Sequence, residues 1–315
     1  MAGPREVSYG PDELLAICVV RNGAVHVRSF LDHHLGLGVR HIVLLDNGST
    51  DGTIDLARGY ENVTILRTDC PYRLYENVMK RYLARRFSRG RWNLCVDIDE
   101  RFDYPLSDVL PLPSFLAYLD YRGFTAVVAQ MLDLFPDAPL LDEGGGEAGL
   151  RERHRFYDTS TITRREYRYG TLANPEVREH RGGIRRAVFQ SNNCLTKAAL
   201  VRVDEEIELF ADWHHVRNAR IADLTCVLLH YPFVETFAAK VEDAVRTGRY
   251  GTMTTPQYES YWRALREDPG LRLKGPAARE YAGTAALVEE GFLVISRELQ
   301  TWVAEHGSPK GLRHE

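Results

Sequence analysis

His41-Ile42-Val43-Leu44-Leu45-Asp46-Asn47-Gly48-Ser49-Thr50-Asp51-Gly52-Thr53 is the stretch on which the fold turns. The unbroken apolar run 42–45 is too short for a helix and suits a strand buried on both faces. It stops at a carboxylate, passes through a turn rich in Asn, Gly and Ser, and meets a helical pattern over 53–58. A strand that ends in a polar turn and runs into a helix is the repeating unit of a parallel α/β sheet. The unit recurs on either side. Residues 15–20 (LAICVV) read as a buried strand, and Val27, Phe30, Leu31 and Leu35 then fall at helical spacing, closed by Gly36 and Gly38. Residues 63–67 predict a third strand, 76–89 a basic helix, and 92–96 (WNLCV) a fourth strand ending at Asp97. In such sheets ligands bind beyond the carboxyl ends of the strands, which directs attention to Asp46 and Asp97.

Further along, 124–130 (FTAVVAQ) predicts a strand and 136–147 (PDAPLLDEGGGE) a mobile surface loop. Residues 181–190 (RGGIRRAVFQ) read as a turn into a strand, and the apolar run 221–230 ends on His230. The last third reads as helical over 233–249 and 277–303, the second with Val288, Phe292, Ile295, Leu299 and Trp302 along one face. The expected organisation is a first half over 1–110, a second half of the same domain over 111–235, and a helical extension over 236–315.

With 315 residues, 44% of them hydrophobic, the chain can bury a sizeable core. A formal net charge of −4 argues against nucleic acid as the partner. The apolar run at 14–20 is shorter than the roughly 20 residues a spanning helix needs, and the five scattered cysteines contain no CxxC pair. A reduced, cytoplasmic setting is expected.

Leu94-Cys95-Val96-Asp97-Ile98-Asp99-Glu100 delivers two carboxylates, one residue apart, from a buried strand into a polar loop. Hard divalent ions take one or two carboxylates plus substrate phosphates, and a nucleoside diphosphate leaving group needs its charge neutralised. A solvated acidic turn is the plain alternative. An aspartyl phosphatase is disfavoured because Arg101 stands where Thr or Val is usual. An EF-hand reading of 47–58 fails because Arg58 occupies the position of the required glutamate. At the other strand end, Asp46 suits a nucleobase N–H or a ribose hydroxyl, whereas Asp51 reads equally as a helix cap.

VLLDNGSTDGT followed about fifty residues later by LCVDIDERF resembles bacterial glycosyltransferase family 2 proteins of the GT-A fold. MLDLFP at 131–136, RYGT at 168–171, GGIRR at 182–186 and LLHYPF before Lys240 extend the similarity over about 14–250. The resemblance implies a Rossmann-like, mostly parallel sheet flanked by helices, with a helical C-terminal extension. It implies an inverting transferase, hexosyltransferase-like, that moves a sugar from a nucleoside-diphosphate sugar, UDP favoured, to an acceptor hydroxyl. It implies that the half over 1–110 binds the nucleotide sugar and that the half over 111–235 holds the acceptor and catalytic groups. By that analogy Arg21, Asn22, Asp46, Asn47, Asp51, Asp97, Arg185 and Lys240 bind the donor. Asp97, Asp99 and His230 hold Mn²⁺ or Mg²⁺. The first strand departs from the pattern, since Arg21-Asn22-Gly23 lacks the glutamate that many relatives carry after the asparagine. Asp212 is taken as the base, with Asp133, Glu179 and His214 as alternatives and Trp213 as a wall of the sugar pocket. The basic groups at Lys80-Arg81, Arg85-Arg86 and 89–91 read either as a solvated helix face or as attraction to an anionic membrane, which would place the protein at its inner face. Rival readings are a nucleotidyltransferase that makes a nucleotide sugar and a non-catalytic nucleotide-sugar-binding protein.

Overall fold

The computed structural model describes residues 1–142, 149–212, 214–248, 250 and 254–307. Trp213, Arg249 and the 143–148 part of the expected surface loop lie outside the described residues. The first half of the chain runs Leu15–Val20 (β1), Ala24–Leu37 (α1), His41–Asp46 (β2), Thr53–Ala57 (α2), Val63–Arg67 (β3), Tyr72–Ser88 (α3), Trp92–Cys95 (β4), Glu100–Asp103 (β5), Leu112–Tyr121 (α4) and Ala126–Asp133 (β6). Next come Leu150–Arg153 (α5), Phe156–Tyr157 (β7), Thr163–Glu166 (β8), Thr171–Leu172 (β9), Arg178–Arg181 (β10), Ile184–Phe189 (α6), Thr196–Arg202 (β11) and Arg220–His230 (β12). The last part holds Phe237–Thr247 (α7), Thr255–Glu267 (α8), Arg279–Glu280 (β13), Thr284–Glu289 (α9) and Arg297–His306 (α10).

The central sheet has the order β3-β2-β1-β4-β11-β6-β12-β5, with β9 beside β12. Its pairs are parallel except where β11 and β5 run against their neighbours. This is a Rossmann-like, mostly parallel α/β fold flanked by helices, as the alternation of strand and helix predicted. All six residues of β1 are buried, because both faces are covered. Ala16, Cys18 and Val20 pack with Val27, Phe30 and Leu31 of α1 and with Phe115 and Leu116 of α4. Leu15, Ile17 and Val19 pack on the other side with Met79, Leu83 and Phe87 of α3. Period-two alternation therefore divides one apolar run between two cores. Burying each such side chain contributes about 1.5–3 kcal/mol, which leaves little room for a charge on either face of β1.

One connection determines where the chemistry-bearing side chains collect. β4 and β5 are separated in the sheet by β11, β6 and β12, yet only residues 96–99 join them in sequence. That segment must cross the carboxyl edge of the sheet. β11 runs opposite to β4, so its first residues, Thr196 and Lys197, lie at the same edge as the last residues of β6 and β12, Asp133 and His230. The register Glu100 opposite His230, and the bond from the Tyr231 N–H to the Asp99 carbonyl at 2.8 Å, pin the crossing in place.

Three segments differ from expectation. Within 181–190, expected as a turn into a strand, Arg181 closes β10 and the turn leads into a helix, α6, over Ile184–Phe189. Gly182 and Gly183 adopt positive φ of 100° and 64° and reverse the chain, after which Ile184 and Phe189 turn one helical face inward. The helical pattern over 277–303 is two short helices broken at Gly291 (φ 65°), and Ser296 caps the second by accepting from the Leu299 N–H at 3.0 Å. The segment expected over 233–249 is helical over Phe237–Thr247, as α7, and ends at the left-handed Gly248. Among the described residues no helix is long and apolar enough to cross a membrane.

Candidate active site

A cleft of about 1030 Å³ opens at the carboxyl edge of the sheet. Arg21, Asn47, Asp97, Asp99, Arg185, Asp212, His230 and Lys240 all line it, so eight of the eleven residues singled out in the sequence meet there. A smaller cavity of about 350 Å³ shares Arg21, Asn47 and Tyr72 with it and continues past Asp69 and Cys70. Asn22, Asp46 and Asp51 line neither cavity.

Those three brace the loop after β2. Asp46 accepts from the Ser49 N–H at 2.8 Å. Asn22, at φ 52°, donates its N–H to Ser49 Oγ at 3.0 Å and accepts from the Thr50 N–H at 2.8 Å. Asp51 accepts from the N–H groups of Ala24 and Thr53, each at 3.0 Å, and from the Thr53 hydroxyl. One carboxylate therefore serves the first turns of both α1 and α2. Burial opposes its charge, yet the bonds from Thr53 and Ala24 hold its pKa below the usual range. Asn47 donates to the carbonyls of Thr68 at 3.2 Å and Cys70 at 2.9 Å, fixing the wall between the two cavities.

The crossing segment carries its carboxylates over a floor of cations. Lys197 is 2% exposed and lies 2.8 Å from Glu100 Oε2 and 3.0 Å from Asp97 Oδ2. Lys80, equally buried, lies 2.6 Å from Glu76 and 3.6 Å from Asp97. Glu100 also accepts from the Asp97 N–H at 2.7 Å, while its Oε1 has no hydrogen-bond partner. Burial raises the Glu100 pKa, and Lys197 works against that rise. Burial raises that of Asp97 too, but Lys197 and Lys80 override it and bring it well below the carboxylate range. Lys80, expected on a basic helix face, instead points inward, and its neighbour Arg81 donates to the carbonyls of Leu209 and Phe210 at 3.1 Å. Lys197 is a site residue that the motifs do not reveal. A lysine inside the apolar run Leu195-Thr196-Lys197-Ala198-Ala199-Leu200 was the available signal, since a charge in a buried strand needs a partner.

Asp99 forms the second cluster. Its Oδ2 lies 3.2 Å from Lys240 Nζ and 3.5 Å from His230 Nε2. His230 Nδ1 lies 2.6 Å from Asp133 Oδ1. Nδ1 meets Asp133, which can only accept, and also lies 2.8 Å from Arg185 Nη2, while Nε2 faces Asp99. Arg185 grips Asp133 with two bonds, 2.7 and 2.6 Å. Burial disfavours charge on His230, but Asp99 and Asp133 lift its pKa to about 9. Asp133 is held down to about 2, since Arg185 outweighs its burial. A divalent cation could take one carboxylate oxygen of Asp99 and, by displacing the proton on Nε2, one imidazole nitrogen of His230, whose other nitrogen is anchored on a carboxylate, as is usual behind metal-ligating histidines. The donor set fits a hard divalent cation, with Asp97 beside it held by lysines.

Elsewhere on the cleft wall, Asp212 Oδ1 accepts from the N–H groups of His214 and His215, both at 2.9 Å, and lies 2.8 Å from His215 Nδ1. Burial raises the Asp212 pKa, but these bonds bring it well below the usual range. Tyr169 stacks on the His215 ring, centroids 3.7 Å apart. Burial drives the His214 pKa down to about 3, leaving a neutral imidazole 3.2 Å from the Thr196 carbonyl. Glu179 and Cys194 line the same wall.

No family model matches the chain, and no curated protein matches it. Among solved structures it is similar to glucosyl-3-phosphoglycerate synthase from Mycobacterium tuberculosis in complex with Mn²⁺, UDP and glucosyl-3-phosphoglycerate, at 18% identity and a TM-score of 0.26. That match spans 38% of this chain and 44% of the other, less than half the length of that enzyme. A 4-diphosphocytidyl-2C-methyl-D-erythritol synthase matches at 13% identity and a TM-score of 0.26, over 45% of this chain and 68% of that one. UDP-glucose pyrophosphorylase from Acinetobacter baumannii matches at 10% identity and a TM-score of 0.29, over 81% and 83%.

Proposed function

We propose that the chain is a metal-dependent inverting glycosyltransferase of the family 2 type, using a nucleoside-diphosphate sugar. The observation that carries this reading is Asp99 set between His230 and Lys240 at the carboxyl edge of a parallel sheet, inside a cleft of about 1030 Å³. Asp99 and His230 would hold Mn²⁺ or Mg²⁺, and the bound ion would supply the charge that neutralises a leaving diphosphate. Lys240, on the same Asp99 oxygen and 40% exposed, is placed to meet a diphosphate oxygen. Asn47 and Arg21 line both cavities, which suits a nucleoside lying against β1 and β2 with its diphosphate toward Asp99. Asp97 and Arg185 complete the donor wall, while Asp46, Asn22 and Asp51 act on the donor by holding the loop that carries Asn47.

Asp212 is the carboxylate proposed to take the acceptor proton. It is 47% exposed in its side chain and lines the same cleft. Its Oδ1 accepts from three N–H groups and the Tyr169 hydroxyl bonds the same carboxylate, so the acceptor hydroxyl would meet its exposed side. A peripheral membrane contact is proposed through the outward face of α3, where Leu74, Tyr75, Val78 and Tyr82 are exposed alongside Arg85 and Arg86.

The test is calorimetric binding of UDP, GDP and dTDP with and without Mn²⁺, to the wild type and to Asp99→Asn. Metal-dependent binding of one nucleotide that is lost in the variant supports the reading; absence of binding under every condition removes it. Release of pyrophosphate from a nucleoside triphosphate and a sugar phosphate would establish the nucleotidyltransferase alternative instead.

A further inference from the structure

Glu179, Cys194 and His215 place one carboxylate oxygen, one thiol sulfur and one imidazole nitrogen within 4.8 Å of one another. They come from three separate segments. Residues 180–182 pair with 193–195 in antiparallel fashion, through bonds from the Gly182 N–H to the Asn193 carbonyl at 3.0 Å and from the Leu195 N–H to the His180 carbonyl at 2.8 Å. That pairing brings Cys194 against Arg181, two residues from Glu179 along β10. His215 arrives from the loop between β11 and β12 and is locked from three sides. Asp212 holds Nδ1, Tyr169 stacks on the ring, and the His215 carbonyl accepts from the Ala211 N–H at 2.9 Å.

The unused nitrogen is the informative atom. His215 is 5% exposed, and its Nε2 has no hydrogen-bond partner among the described residues; Glu179 Oε2 stands 3.9 Å away. Asp212 can only accept, so Nδ1 bears the proton and Nε2 presents a bare lone pair toward a carboxylate and a sulfur. A carboxylate behind one imidazole nitrogen, with the other free beside a thiol, is the usual surrounding of a metal-ligating histidine.

We propose that Glu179, Cys194 and His215 bind a borderline-soft divalent cation of the zinc type. A carboxylate and a thiolate neutralise its two charges, and the thiol proton leaves to solvent on binding. Three protein ligands leave the fourth tetrahedral position toward the cleft, which all three residues line. Sulfur sets this site apart from the Asp99–His230 pair, whose oxygen and nitrogen donors suit Mn²⁺ or Mg²⁺. The one cleft thus holds two cation sites of different softness, and the second does not depend on what the donor substrate is.

The test is titration of the metal-stripped full-length protein with Co²⁺. The expected result is a thiolate-to-cobalt charge-transfer band saturating at one equivalent and abolished by Zn²⁺. Cys194→Ser removes the band, Asp212→Ala weakens binding by about 10–100-fold, and Asp99→Asn leaves the band intact. A second readout needs no variant. Zn²⁺ slows alkylation of Cys194 in the wild type while exposed Cys70 reacts at an unchanged rate, read by mass spectrometry. A missing band, a band that survives Cys194→Ser or vanishes with Asp99→Asn, or Cys194 alkylation indifferent to Zn²⁺ would overturn the proposal.

Discussion

Replacing Lys197 by methionine keeps the length of the side chain and removes the cation that faces Glu100 at 2.8 Å and Asp97 at 3.0 Å. Asp97 retains Lys80 and is 35% exposed in its side chain, so it tolerates the change. Glu100 is fully buried, and among the described residues Lys197 is its one ion-pair partner, with His230 acting on it from farther away. Breaking a buried pair from one side costs about 3–5 kcal/mol. Protonation limits the loss. At pH 7 the ordinary glutamate range lies about 2.5 pH units away, and at about 1.4 kcal/mol per unit the cost is capped near 3.5 kcal/mol. Native Glu100 in the variant then binds a proton that the unfolded chain lacks. Stability therefore falls as pH rises from the ordinary range to the raised folded pKa and is level above it. Urea unfolding at a series of pH values reads this directly. Relative to wild type, whose Glu100 is itself raised by burial, the deficit is at most about 3.5 kcal/mol at pH 7 and shrinks toward zero as pH falls to the ordinary glutamate range. Adding Glu100→Gln to Lys197→Met restores about 2 kcal/mol at pH 7. A deficit below about 0.5 kcal/mol at pH 7, or one that does not change between pH 5 and 7.5, would refute the assignment of Lys197 as the counter-charge of Glu100.

The same geometry predicts four further outcomes. Asp51→Ala removes acceptors from the first turns of α1 and α2 and lowers stability by about 1–2 kcal/mol in urea unfolding; a change under about 0.3 kcal/mol would show that the turns hold without it. His26 and His180 are buried with pKa values pushed down to about 3 by desolvation. Both must charge on unfolding, so their contribution is present above the unfolded value near 6.5 and is lost as pH falls toward 3. Together they lower stability by about 2.5–3 kcal/mol between pH 7.5 and 5.5, and substituting each by Gln removes that share of the slope. Asp99→Asn weakens Mn²⁺-dependent nucleotide binding by at least about 10–100-fold in calorimetry while leaving metal-free binding unchanged; equal losses in both would assign Asp99 to direct nucleotide contact. Vesicles containing anionic lipid bind the wild type more strongly than the triple variant Leu74→Ser, Val78→Ser, Tyr82→Ser in sedimentation, and equal binding would remove α3 as a contact surface.

The first four strands were legible in the sequence because each is a closed event, an apolar run that a polar turn terminates. The strand ends at Asp97 and His230 were legible for the same reason. Helix α6 was not, because a Gly-Gly pair before Ile184 signals a chain reversal and is equally compatible with a strand or a helix beyond it. The pairing of sites was hidden more deeply. Lys197 meets Glu100 and Asp97 only because β11 runs against its neighbours and residues 96–99 cross three strands, and local spacing carries no trace of either. His215 and Cys194 stayed invisible as a pair for a like reason, since the bridge between Arg181 and Cys194 is a long-range event. Asp51, in the loop after β2, shows the opposite case: the helix-cap role that its place before Thr53 already suggested is observed, extended to the start of α1 as well.

The cations and carboxylates at the carboxyl edge are matched inside the protein, and this governs how quickly a ligand arrives. Lys80, Lys197, Lys240 and Arg185 stand against Glu76, Asp97, Asp99, Glu100 and Asp133, with His230 among them. The long-range field at the mouth of the cleft is weak because each charge ends on a neighbour a few ångströms away. An anionic ligand is therefore not drawn in from a distance. Its association rate depends little on ionic strength, and discrimination rests on residence time rather than on capture.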